Sequence, residues 1–91
     1  MAHFTKHARQ RSAQRSIPET AVDLILDYGD IQRMQGADSY FFSSPAKRRL
    51  RREIGQDGVR RVRRYLSVYA IVSDDGRVIT VARNNRQIRR R

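Results

Sequence analysis

An α+β domain, with N-terminal helices packed on a small antiparallel β-sheet, is the fold class that the sequence predicts. Three observations predict it. The chain opens with segments of helical period and closes with two β-branched runs around an Asp-Gly turn. Between them its apolar residues fall in periodic blocks rather than at random. Residues 1–83 form a single domain in this reading, and residues 84–91 form a basic, flexible tail.

Each element has its own warrant. Thr5 can cap a first helix over residues 6–14, whose thin apolar face (Phe4, Ala8, Ala13) must dock on something else. Ser16-Ile17-Pro18-Glu19 has the spacing of a capping box with Pro in the first turn. Ile17, Ala21, Leu24, Ile25 and Tyr28 then make one stripe opposite Glu19, Asp23 and Asp27, and Gly29 ends the helix. Ile31–Gln35 and Ser39–Ser43 read as a hairpin turning at Gly36-Ala37-Asp38. Ser44-Pro45 caps a third helix with Ala46, Leu50 and Ile54 inward and Gly55 at its close. Residues 58–65 are expected to be helical, with strand as the alternative.

Tyr65–Ser73 and Arg77–Arg83 flank the last turn, taken as Asp75-Gly76. That register puts Leu66, Val68, Ala70 and Val72 with Ile79 and Val81 on the core face. Tyr65, Ser67, Tyr69, Ile71 and Ser73 share the other face with Val78, Thr80 and Ala82.

Ninety-one residues allow one domain with a limited core. There is no cysteine, hence no disulfide, thiolate zinc site or cysteine nucleophile. The N-terminus lacks an apolar signal core and no apolar run is long enough for a bilayer, so the cytoplasm is the expected location. The net charge is +11, and it is one-sided. Residues 1–43 hold five basic and five acidic side chains, whereas residues 44–91 hold fifteen and four. Such a field attracts phosphates or an acidic protein, and arginine suits bidentate phosphate contacts.

The candidate chemistry follows from that charge. Converging carboxylates and phosphate-binding glycine loops are missing, and the histidine pair His3 and His7 straddles the expected start of the first helix with nothing else to complete a site, so neither a metal nor another cofactor is expected. His7, Arg11 and Arg15 recur every fourth residue along one side of the first helix. An imidazole can exchange a proton near neutral pH while guanidiniums hold a phosphate. In RNA the 2′-hydroxyl is a built-in nucleophile, which makes RNA the expected substrate of such a set. Tyr69 and Thr80 share the non-core face of the last hairpin, where a ring could stack on a base and a hydroxyl could meet phosphate. Lys47 to Arg52 and Arg60 to Arg64 read as a surface that grips a nucleic-acid backbone, with Lys47, Arg48, Arg49, Arg52, Arg61 and Arg64 as its foremost contacts. Alternation in Tyr40-Phe41-Phe42 buries either the middle ring or the outer two.

His7-Ala8-Arg9-x-Arg11, Gln14-Arg15-Ser16-Ile17-Pro18, Tyr28-Gly29, Lys47-Arg48-Arg49 and the closing Tyr69–Val81 segment together follow one pattern. It resembles the bacterial domain-of-unknown-function 4258 family, which is distantly similar to the RelE, ParE and BrnT toxins. The resemblance implies a RelE-like fold and metal-independent endoribonuclease activity within a toxin–antitoxin system. It also implies neutralisation by an acidic antitoxin. Carried over by position, His7, Arg11 and Arg15 would be the helix-borne catalytic set, with Thr80 and Arg83 on the sheet. Two alternatives stand beside it: a non-enzymatic nucleic-acid-binding module acting through the Arg-rich half, and gyrase inhibition of the ParE kind.

Overall fold

Nine segments of regular structure follow one another in the computed structural model, which describes residues 3–84. Strand β1 (His3–Phe4) precedes helices α1 (Lys6–Gln14) and α2 (Glu19–Tyr28). The hairpin β2 (Asp30–Met34) and β3 (Ala37–Phe41) leads into α3 (Ser44–Val62) and a 3₁₀ turn, Arg63–Tyr65. Strands β4 (Val68–Ser73) and β5 (Arg77–Arg83) complete the fold. The five strands form one sheet in the order β1-β5-β4-β3-β2. The four longer strands are mutually antiparallel, as the sequence led us to expect, and β1 adds a short parallel strand beside β5.

The caps explain where the helices begin. Thr5 Oγ1 accepts from the Ala8 amide at α1, and Ser43 Oγ accepts from the Ala46 amide at α3. At α2 the expected capping box does not form. Ser16 takes a left-handed conformation (φ 55°), and the N-cap is Pro18, with no side-chain cap bond. The tight α1–α2 link is closed instead by the buried Ser12 hydroxyl, which donates to the Ile17 carbonyl. Gly29 is the C-cap of α2 in an extended conformation, and the position requires glycine because a Cβ there would lie 2.5 Å from the Ile25 carbonyl and 2.8 Å from that of Phe41.

All three helices bury their apolar faces against one side of the sheet. Ala8 (α1), Ile17, Ala21, Val22 and Ile25 (α2 and its approach), and Ala46 and Leu50 (α3) form one core with Phe4, Phe42, Val68, Ala70, Val78 and Val81. Helix α1 packs over β5 and β1. Helix α2 packs over β4 and β3, and α3 packs against α2.

In the two hairpins the structure differs from the sequence reading. The first hairpin turns at Gln35-Gly36, since Met34 pairs with Ala37. In the last hairpin, Ile71 pairs with Thr80 but Val72 pairs with Val78, so Ile79 is an extra residue that bulges out of the ladder. Val78 therefore joins Val81 on the core face, where strict alternation would have put Ile79. The Tyr40-Phe41-Phe42 alternative is also resolved. Tyr40 and Phe42 pack with the core, and Phe41 pairs with Tyr69 on the opposite face. Among the described residues no helix is long and apolar enough to cross a membrane. Of the expected tail, residues 85–91 lie outside the described residues.

Candidate nucleic-acid interface

Helix α1 carries His7 and Arg11 on consecutive turns, and Arg11 Nε donates to His7 Nε2 at 3.4 Å. His7 is exposed and Arg11 half-buried. Arg15 does not extend this pair. It is the C-cap of α1, and its guanidinium donates to the Val81 carbonyl at 2.9 Å. Arg83 completes the exchange by donating to the Arg15 carbonyl at 2.7 Å. These two arginines clamp the end of α1 to β5, so their donors serve the fold. Thr80 stands elsewhere. It is adjacent to core-facing Val81 and therefore points to the side of the sheet away from α1. The structure brings His7 and Arg11 together, and separates Thr80 from them by the thickness of the sheet.

The helix-free face has its own organisation. Cross-strand pairing aligns Phe41 with Tyr69 and Ala82 in one row, and Gln32, Ser39, Ile71 and Thr80 in the next. At one end of this face lies an open groove of about 750 Å³. Its walls include Phe41, Tyr69, Gln32, Ser39, Lys47 and Arg63. The lining thus combines aromatic rings, amide and hydroxyl groups and two cations. Of the residues singled out from sequence, Tyr69, Lys47 and Arg63 (within the Arg60 to Arg64 run) meet here. Phe41 was missed as a site residue. It belongs to the site only through the β3–β4 register, which is not a local pattern in sequence.

Among the described residues, Lys47, Arg48, Arg51, Arg52, Arg61, Arg63 and Arg64 are exposed and have no ion pair or side-chain hydrogen bond. Arg49 differs from its neighbours. It donates to Asp30 Oδ1 at 2.7 Å and to the Tyr28 carbonyl at 3.0 Å, which fixes α3 to the start of β2. Helix α2, bearing Glu19, Asp23 and Asp27, packs against α3, and Glu19 already accepts from Arg9 at 2.7 Å. Of these cations, Lys47 and Arg63 line the groove. Among the described residues no group of three or more His, Asp or Glu side chains is gathered where a metal ion could be held.

Residues 4–83 match the model of a family described as a domain of unknown function, DUF4258. The chain belongs to that family. The match runs from β1 to the end of β5, so the family's unit is the whole sheet with its three helices, and its span takes in His7, Arg11, Phe41, Lys47, Arg63 and Tyr69. The chain matches no curated protein and no solved structure.

Proposed function

We propose that the protein binds single-stranded RNA, with bases against Phe41 and Tyr69 in the groove and the phosphate backbone along Lys47, Arg63 and the arginines of α3. The observation that carries this reading is the groove itself: two paired aromatic rings on a helix-free sheet face, together with cations that have no partner among the described residues. Every base offers a π-face to such rings, and unpaired guanidiniums need shed no internal carboxylate to accept phosphate. Gln32, Ser39 and Ser67 add groups able to bond a 2′-hydroxyl, which favours RNA over DNA.

Fluorescence anisotropy with a labelled oligouridylate tests the reading. Tyr69→Ala is expected to weaken binding by about 1–3 kcal/mol for one stacked base, roughly 5- to 150-fold. Binding that ignores both salt and this substitution would refute it.

The endoribonuclease reading rests on a separate observation, the His7–Arg11 hydrogen bond. An arriving phosphate would draw the Arg11 guanidinium to itself and release His7 Nε2 to take the proton of the attacking 2′-hydroxyl. Arg15 and Thr80 have no place in this version. The expected result is RNA cleavage in the presence of EDTA, leaving a 2′,3′-cyclic phosphate, and its loss in His7→Ala. Unchanged cleavage by that variant removes His7 from the reaction. The acidic antitoxin is a proposal of the same standing. Its support is edge strand β2, which exposes Ile31 and Met34 and offers an unpaired backbone edge.

A further inference from the structure

Helix α3 is not one straight helix. At Gly55 the backbone takes φ 76° and ψ 173°, a conformation essentially reserved for glycine, and the chain resumes as a second helical segment in a new direction. A cleft of about 240 Å³ opens at this break. Arg51 lines it from before the break, Gln56, Val59 and Arg60 from after it, and Arg63 from the 3₁₀ turn. Three arginines thus line one small cavity. Arg51 and Arg63 have no ion pair among the described residues, and Arg60 is held only by exposed Asp57 at 3.1 Å. Like charges placed around a cavity repel one another unless an anion sits among them. Arg63 is also a wall of the aromatic groove, so the two depressions share a side chain.

Building on the groove reading, we infer that the cleft at the Gly55 break is a phosphate site for the RNA strand whose bases occupy the groove. Arg51 and Arg60 hold a backbone phosphate, Gln56 donates its amide N–H to a phosphate oxygen, and Arg63 contacts the strand where it passes from groove to cleft. Asp57 is the built-in competitor. Its carboxylate occupies Arg60 until phosphate displaces it.

The test is a salt titration of binding to an oligouridylate of about ten nucleotides, a length within the usual span of one single-strand site. The full chain is compared with Arg51→Gln/Arg60→Gln, with Asp57→Asn and with Tyr69→Ala. Loss of one phosphate contact lowers the slope of log K against log salt by about 0.7 for a single strand. The double variant is expected to show that loss, Asp57→Asn tighter binding, and Tyr69→Ala weaker binding at unchanged slope. If neither cleft substitution alters slope or affinity while Tyr69→Ala weakens binding, the cleft is not a phosphate site and the groove reading stands. If the unaltered protein binds no oligouridylate, the groove reading falls and takes the cleft with it. A final arm titrates pyrophosphate alone. Binding as tight as that of the oligonucleotide, abolished by the double variant, would assign the cleft to a free phosphate compound and overturn its role in holding a strand.

Discussion

At the scale of the residue, Asp30 does more than any other carboxylate. It accepts from the Ser43 hydroxyl and from Arg49, while the same Ser43 oxygen caps α3 and the same guanidinium reaches the Tyr28 carbonyl. One side chain therefore joins the end of α2, the start of β2 and the first turn of α3. The hydrogen bond from Ser43, then that from Arg49, hold the Asp30 carboxyl below its ordinary value. Arg33 does the same for Asp74, and Ser73 for Asp75. A carboxylate depressed in the folded state contributes stability that is fully present above its ordinary pKa and is lost as pH falls through the depressed one. Unfolding midpoints are therefore expected to be flat from neutrality down to the ordinary carboxylate range and to fall below it. Asp30→Asn is expected to lower the midpoint at neutral pH and to shrink its acid-side fall. An acid limb identical in the variant would show that Asp30 is not the coupling group. This role was not legible in the sequence. Arg49 sits in a run of like cations, and its partner lies 19 residues away.

At the scale of the element, local chemistry made the helices readable and tertiary pairing hid the rest. Thr5 accepts a hydrogen bond in its own first turn, so α1 begins where its sequence says, whereas α3 is capped by Ser43, one residue before the Ser44 that the sequence offered. Strand β1 has two residues and no period to detect; it exists because β5 offers an edge. The bulge at Ile79 likewise depends on how two strands meet, and with it the choice of Val78 for the core. The candidate site divides in the same way. Tyr69 and Lys47 were legible as types, but the groove needs Phe41 across the sheet from Tyr69. Gly55 is the element whose consequence reaches furthest. It was legible as a helix end, and the second helical segment beyond it makes it a corner. Gly55→Ala is expected to destabilise the fold by about 1–3 kcal/mol, the usual cost of holding a side chain in that backbone region. Chemical denaturation at neutral pH measures it. A neutral substitution would mean that α3 straightens without loss, and the cleft would then be incidental.

At the scale of the whole molecule, the charge works against the fold that carries it. Five of the nine acids, Glu19, Asp30, Asp38, Asp57 and Asp74, are already engaged in ion pairs, and of the cations of α3 and the 3₁₀ turn only Arg49 and Arg60 share in them. A small domain with a net charge of +11 pushes against its own compactness, and screening relieves that push. Added salt is therefore expected to raise the thermal midpoint of the protein alone. An RNA ligand neutralises the same cations locally, and saturation to about 100 times its dissociation constant would add about 2.7 kcal/mol of stability. Salt must then have opposite effects in the two experiments, because it relieves repulsion in the free protein and weakens the complex. The midpoint gained from an oligouridylate is expected to be largest at low ionic strength and to shrink as the midpoint of the free protein climbs. Thermal melts with and without the oligonucleotide across a salt series would reveal the crossing trends. Parallel trends would mean that the cations stabilising the complex are not those straining the free fold, and the basic surface of α3 would lose its claim to the RNA.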